Sequence, residues 1–128
     1  MNEVKIGNIH IGAGQPLALI AGPCVIESEE VVMKTAGHLM DIADRLKIPL
    51  IYKSSYFKAN RSSASFYTGP GQKEGLRILQ GVRAMGIPVL SDVHTTAEVA
   101  AAALGLDALQ LPAHLSMQTE LTLALART

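Results

Sequence analysis

The sequence predicts an α/β fold of the TIM-type (β/α)8 barrel class, with about four consecutive β/α units behind a small N-terminal β-hairpin. Three observations lead there. Short runs that are apolar throughout alternate with stretches of helical periodicity, as buried parallel strands and their covering helices do. The segment Leu46-Lys47-Ile48-Pro49-Leu50-Ile51-Tyr52-Lys53 is echoed by Met85-Gly86-Ile87-Pro88-Val89-Leu90-Ser91-Asp92, each copy reading as helix end, Ile-Pro entry, apolar strand and polar exit. Polar residues gather where strands end: Cys24, Lys53 with Ser55, Asp92 with His94, and Gln110 with Pro112. Loops at those ends of a barrel converge on one face. Residues 1–128 therefore read as a single partial domain, about half a barrel.

Each element follows from local chemistry. Val4 to Ile6 and Ile9 to Ile11 flank Gly7-Asn8, a pair that tolerates the positive backbone angles of a tight hairpin turn. Leu17 to Ala21, bounded by Pro16 and Gly22, reads as a first core strand buried on both faces. From Ser28 to Leu46, Val32, Ala36, Leu39, Ala43 and Leu46 recur at helical spacing, with Ser28 placed to cap and Glu29 and Glu30 placed on the positive end of the helix dipole. A helix from Gln72 to Met85 joins the two repeated strands, and another from Thr96 to Leu104 stops at Gly105. Ala108 to Leu111 makes a fourth core strand, and a last helix is expected from Ser116. Val32, Leu39, Leu76, Leu79, Val82 and Val99 sit at helix-core spacing, so they read as packing against the sheet.

Composition excludes several classes. Basic and acidic residues number 11 each, so no overall field draws the chain to nucleic acid or to an anionic membrane. Cys24 is the only cysteine, which rules out an intramolecular disulfide. The N-terminus shows neither a basic start with an apolar stretch nor a spanning segment, and a cytoplasmic protein is expected.

Any anion binding must then be local, and one loop is built for it. Between Lys53 and Gly71 stand Lys53-Ser54-Ser55, Lys58-Ala59-Asn60-Arg61-Ser62-Ser63 and Gly69-Pro70-Gly71, with no carboxylate among them. Such a density of cations and hydroxyls after a strand suits phosphorylated small molecules. Each residue alone has a plainer reading: a solvated lysine, a turn-forming Asn or Ser, a lone cysteine acting as a small inert hydrophobe.

Ala21-Gly22-Pro23-Cys24, Lys58-Ala59-Asn60-Arg61-Ser62-Ser63, Gly69-Pro70-Gly71, Ser91-Asp92-Val93-His94 and Leu109-Gln110-Leu111-Pro112-Ala113 occur in the order and spacing of 3-deoxy-D-manno-octulosonate 8-phosphate synthase. The chain resembles the N-terminal half of that family from Leu17 onward. The hexapeptide from Lys58 is the specific part, because the related aromatic-pathway synthase of 3-deoxy-arabino-heptulosonate 7-phosphate resembles Lys-Pro-Arg-Thr there. The resemblance implies a cytoplasmic (β/α)8 enzyme that condenses phosphoenolpyruvate with D-arabinose 5-phosphate, releases phosphate and supplies a lipopolysaccharide sugar.

By that resemblance, Lys53 and Lys58 would hold the phosphate and carboxylate of phosphoenolpyruvate, and Arg61 would offer a planar fork to the sugar phosphate. Asn60 and Ser62 would bond hydroxyls or phosphate oxygens. Asp92, His94 and Gln110 would line the site, Gln110 towards the pyruvyl end or satisfying backbone groups. In this family a cysteine at the position of Cys24 marks metal-dependent members, which implies a divalent metal ion bound through a thiolate. The family's remaining metal ligands have no counterpart in this chain. The sequence departs from the family's usual residues at Phe57, Thr68, Thr95, His114 and Met117, each change removing a charge or altering a shape.

Two further readings stand beside the enzyme: a truncated, non-catalytic remnant that binds phosphorylated ligands weakly, and a member of the aromatic-pathway synthases. A four-stranded sheet cut from a barrel leaves unpaired edges and an apolar face. Partners are thus expected to be phosphorylated small molecules, with homo-oligomer formation or association with a complementary half barrel, and negligible activity of the chain alone.

Overall fold

The computed structural model describes residues 2–59, 62–63 and 65–128. Two strands, β1 (Val4–Ile6) and β2 (Ile9–Ile11), form the expected antiparallel hairpin, with Gly7 at φ 59° in its turn. Strands β3 (Leu19–Ala21), β4 (Leu50–Lys53), β5 (Val89–Asp92) and β6 (Ala108–Gln110) follow in a parallel sheet of order β3-β4-β5-β6. The connections are α1 (Glu29–Leu46), α2 (Gln72–Ala84) and α3 (Thr96–Gly105), and a 3-10 turn at Ala113–Leu115 leads to α4 (Thr119–Ala126). Within this parallel sheet every strand pairs with the next in sequence, as successive β/α units of a barrel do.

Alternation along the strands divides the apolar residues into two sets. Tyr52, Val89 and Val93 face the helices and join the main core with Val32, Ala36, Leu79 and Val82. Ile51 and Leu90 face the other way and meet buried Ile9 of the hairpin, with Ile6, Ile11, Ala18 and Ala108 around them. The hairpin thus closes the lower end of the inner face of the sheet.

Helix α1 begins where its sequence says it should. Ser28 is the N-cap and its hydroxyl accepts the Val31 N–H at 3.2 Å. One turn on, the Val32 carbonyl accepts the buried Tyr52 hydroxyl at 3.3 Å, tying α1 to β4. Helix α2 lies against the loop after β4 so closely that a methyl group at Gly75 would stand 2.2 Å from Tyr56 Cβ. Among the described residues no helix is long and apolar enough to cross a membrane.

Two expectations need correction. The first core strand is Leu19–Ala21, not Leu17 to Ala21, and it is not buried on both faces: Leu17 is 89% exposed and Ile20 is 49% exposed. β3 is an edge strand, and the surface its apolar run would share with another element faces solvent. The last helix starts at Thr119 rather than Ser116, because the Ser116 hydroxyl bonds back to the Ala113 carbonyl at 2.8 Å and closes the 3-10 turn instead of capping forward.

Candidate active site

The upper ends of β3, β4 and β5 are drawn together by backbone contacts. After β3 the chain runs beside the exit of β4: the Ser55 N–H donates to the Cys24 carbonyl at 3.3 Å, and the Ser54 hydroxyl to the Pro23 carbonyl at 2.8 Å. Gly22 permits this approach, since a Cβ there would lie 1.9 Å from the Lys53 carbonyl oxygen. The loop that follows is closed at its neck. Lys58 N–H donates to the Thr68 carbonyl at 2.7 Å and Gly71 N–H to the Tyr56 carbonyl at 3.0 Å.

Asp92 is the centre of the arrangement. It is 4% exposed, and one of its oxygens accepts a short hydrogen bond from the buried Ser55 hydroxyl. The other, Oδ2, lies 3.1 Å from His94 Nε2 and 3.9 Å from Lys58 Nζ. Burial alone would raise the Asp92 carboxyl, but the hydrogen bonds from His94 and Ser55 and the Lys58 charge outweigh it and hold the group down at about 2. Asp92 is therefore ionised at neutral pH. It accepts from two donors, Ser55 and His94, and pairs with one cation. At 3.9 Å the Lys58 contact is an ion pair without a hydrogen bond, which leaves the ammonium able to turn its donors to an anion.

His94 is enclosed by carboxylates and aromatic rings. Behind it, Glu98 Oε2 stands 3.7 Å from Nδ1, and the same oxygen accepts the His94 backbone N–H at 3.2 Å and the Tyr56 hydroxyl at 2.8 Å. The rings of Phe57 and Tyr56 meet the imidazole edge-on, at centroid distances of 5.5 and 6.3 Å. Burial first, and then the bond to Glu98, push the Tyr56 hydroxyl far above the usual phenol range.

Of the expected site residues, the structure brings Lys58, Asp92 and His94 into one cluster. Gln110 is the register partner of Asp92 on β6, so the two share a face of the sheet, and its carbonyl accepts the Val93 N–H at 3.0 Å. Lys53 ends β4 half-buried, one step below Ser55 on the same face. Ser62 is exposed, and Asn60 and Arg61 lie outside the described residues. The loop's lack of carboxylates proves incomplete as a description, because Asp92 supplies one from the neighbouring strand. Tyr56 and Glu98 were not singled out by sequence. The spacing Thr95-x-x-Glu98 before an apolar stretch is the capping-box signal that would have drawn attention to Glu98.

The donors do not by themselves make a metal centre. Cys24 is exposed, and no group of three His, Cys, Asp or Glu among the described residues is placed to hold an ion. Asp92 and His94 are engaged with each other. A separate cavity of about 580 Å³ lies at the opposite end, beside the hairpin and lined by His10, Gln15, Asp44 and Met85 among others. It contains none of the expected site residues.

Comparison with known proteins gives the chain its relatives. Residues 2–128 match the DAHP synthetase I family. The chain is 56% identical over 98% of its length to the 2-dehydro-3-deoxyphosphooctonate aldolase of Pelobacter propionicus, covering 47% of that protein. Proteins of the same name from Trichlorobacter lovleyi and Geotalea uraniireducens are 55% and 51% identical over 98% and 100% of the chain, again covering 47% of each. The chain spans about half the length of the curated relatives it matches.

Proposed function

The chain belongs to the DAHP synthetase I family, and from that premise we propose that it forms part of an enzyme condensing phosphoenolpyruvate with D-arabinose 5-phosphate to give 3-deoxy-D-manno-octulosonate 8-phosphate and phosphate. The product is a lipopolysaccharide sugar precursor, made in the cytoplasm. The observation that carries this reading is Lys58, an ammonium held 3.9 Å from buried, ionised Asp92 at the open end of the sheet. An ammonium balanced by one distant carboxylate attracts a doubly charged phosphate more strongly than that carboxylate competes for it. Lys53 would serve the other anionic end of phosphoenolpyruvate. Asn60, Arg61 and Ser62 would receive the sugar phosphate, with Gln110 reaching the three-carbon unit. Asp92 would offer an acceptor to the second substrate, with His94 lining the site beside it.

In this reading Cys24 contributes one thiolate to a divalent ion whose other donors lie outside this chain. An ion so held would polarise a reactant. With one donor here, the 128-residue chain alone turns over negligibly. Its exposed β3 edge, with Ile20 half open to solvent, supports association with a second copy or with a complementary half barrel.

Titration of phosphoenolpyruvate into the chain, followed by amide NMR, tests the proposal. Saturable shifts at Lys58, Asp92 and His94, weakened about tenfold or more in Lys58→Ala, are expected. Absence of binding at millimolar ligand overturns it.

A further inference from the structure

Glu98 sits in the first turn of α3, three residues after the N-cap Thr95. A glutamate there commonly returns its carboxylate to the N-cap backbone and does no more than start the helix. Glu98 reaches further. Oε1 accepts the Thr95 hydroxyl at 3.0 Å, while Oε2 takes the Tyr56 hydroxyl at 2.8 Å, forty-two residues away in sequence, and the His94 backbone N–H at 3.2 Å. Its own carbonyl accepts the Gln72 side-chain amide at 2.7 Å. Beyond Oε2 lies His94 Nδ1, buried, without a hydrogen-bond partner and 3.7 Å away. The groups facing the imidazole are therefore Asp92 from β5, Glu98 from α3, and Tyr56 and Phe57 from the loop, with Lys58 behind Asp92.

We propose that Glu98 is a positioning residue: it fixes the His94 ring from behind and the Tyr56 hydroxyl beside it, so that Nε2 meets Asp92 and Asp92 in turn is shared with Lys58. An imidazole that has lost this support is free to rotate about its side-chain torsions, and Asp92 then closes on Lys58 and competes with an incoming anion. The consequence for a phosphorylated ligand rests on the function proposed above. The placement of the ring does not.

The test uses the full chain, labelled with 15N, and reads the ring resonances of His94 against the exposed His38 and His114. In the wild-type chain His94 should show ring-current shifts from Phe57 and an Nε2–H protected from exchange by its bond to Asp92. In Glu98→Ala those signals should move to the positions of the exposed histidines, and phosphoenolpyruvate affinity should fall about threefold to tenfold, the size of one lost hydrogen bond. Ser28→Ala, which removes the cap of α1 and costs comparable stability, should leave the His94 signals in place. A folded Glu98→Ala chain with unchanged His94 resonances overturns the proposal. If Glu98→Ala does not fold, Glu98→Leu, which fills the space without an acceptor, decides by the same criterion, shifted signals supporting it and unchanged ones refuting it. A wild-type chain with the fixed ring but no affinity for phosphoenolpyruvate would remove the proposed function and leave this role standing.

Discussion

The Ser55 hydroxyl donates to Asp92 across the boundary between β4 and β5, joining two residues thirty-seven positions apart inside the buried end of the sheet. That bond, with the His94 and Lys58 contacts, makes Asp92 a group whose charge the folded chain favours.

Its acid dependence follows. An ordinary aspartate titrates near 3.9, whereas Asp92 is held at about 2, so its stabilisation is complete above roughly pH 4 and is lost as the pH falls towards 2. The amount is on the order of 2 kcal/mol. Urea unfolding between pH 5 and 2 should show a steep loss in the wild-type chain and a shallower one in Asp92→Asn.

At the alkaline side the phenols set the slope. Burial raises Tyr52 to about 12 and, together with Glu98, raises Tyr56 further. The folded chain holds both protonated, so their contribution is present below the ordinary phenol value near 10 and is lost as the pH rises through 12. Tyr56→Phe, which removes the bond to Glu98, should cost about 1–2 kcal/mol at pH 7 and lessen the alkaline loss, measured by denaturant unfolding.

Gly75→Ala should be among the most damaging small substitutions. Its methyl would lie 2.2 Å from Tyr56 Cβ and 3.1 Å from Tyr56 Cα, so α2 or the loop must retreat. A loss of about 1–3 kcal/mol is expected by thermal unfolding. Gly37→Ala is the comparison, since nothing lies within 4 Å of a Cβ there and the added methyl favours the helix.

Ile20→Lys should reduce self-association. The substitution puts a charge on the β3 edge that natural sheets use to block pairing. Light scattering of the wild-type chain should give a mass above that of one copy, and the variant a lower one. A monodisperse wild-type monomer would refute association through this edge.

What the sequence revealed was what local chemistry decides. The hairpin was legible in Gly7-Asn8, the start of α1 in Ser28-Glu29-Glu30, and β4 and β5 in the repeated Ile-Pro strands. Asp92 and His94 were legible as a pair because alternate residues of an extended segment share a face. Tyr56 and Glu98 escaped notice because their roles come from tertiary approach, set by Gly75 packing under one and the start of α3 carrying the other. Leu17 to Ala21 carries the apolar character of a central strand, but burial there depends on what stands beside β3. Composition cannot report that neighbour.

The hairpin under Ile51 and Leu90 makes the two ends of the sheet unequal. Ile9 seals the apolar floor at the strand starts, so the polar groups gathered around Asp92 stand over a dry base and meet water only from the side of the strand ends and the open sheet edge. A charge placed on Ile51 or Leu90 would therefore be stranded without a polar neighbour.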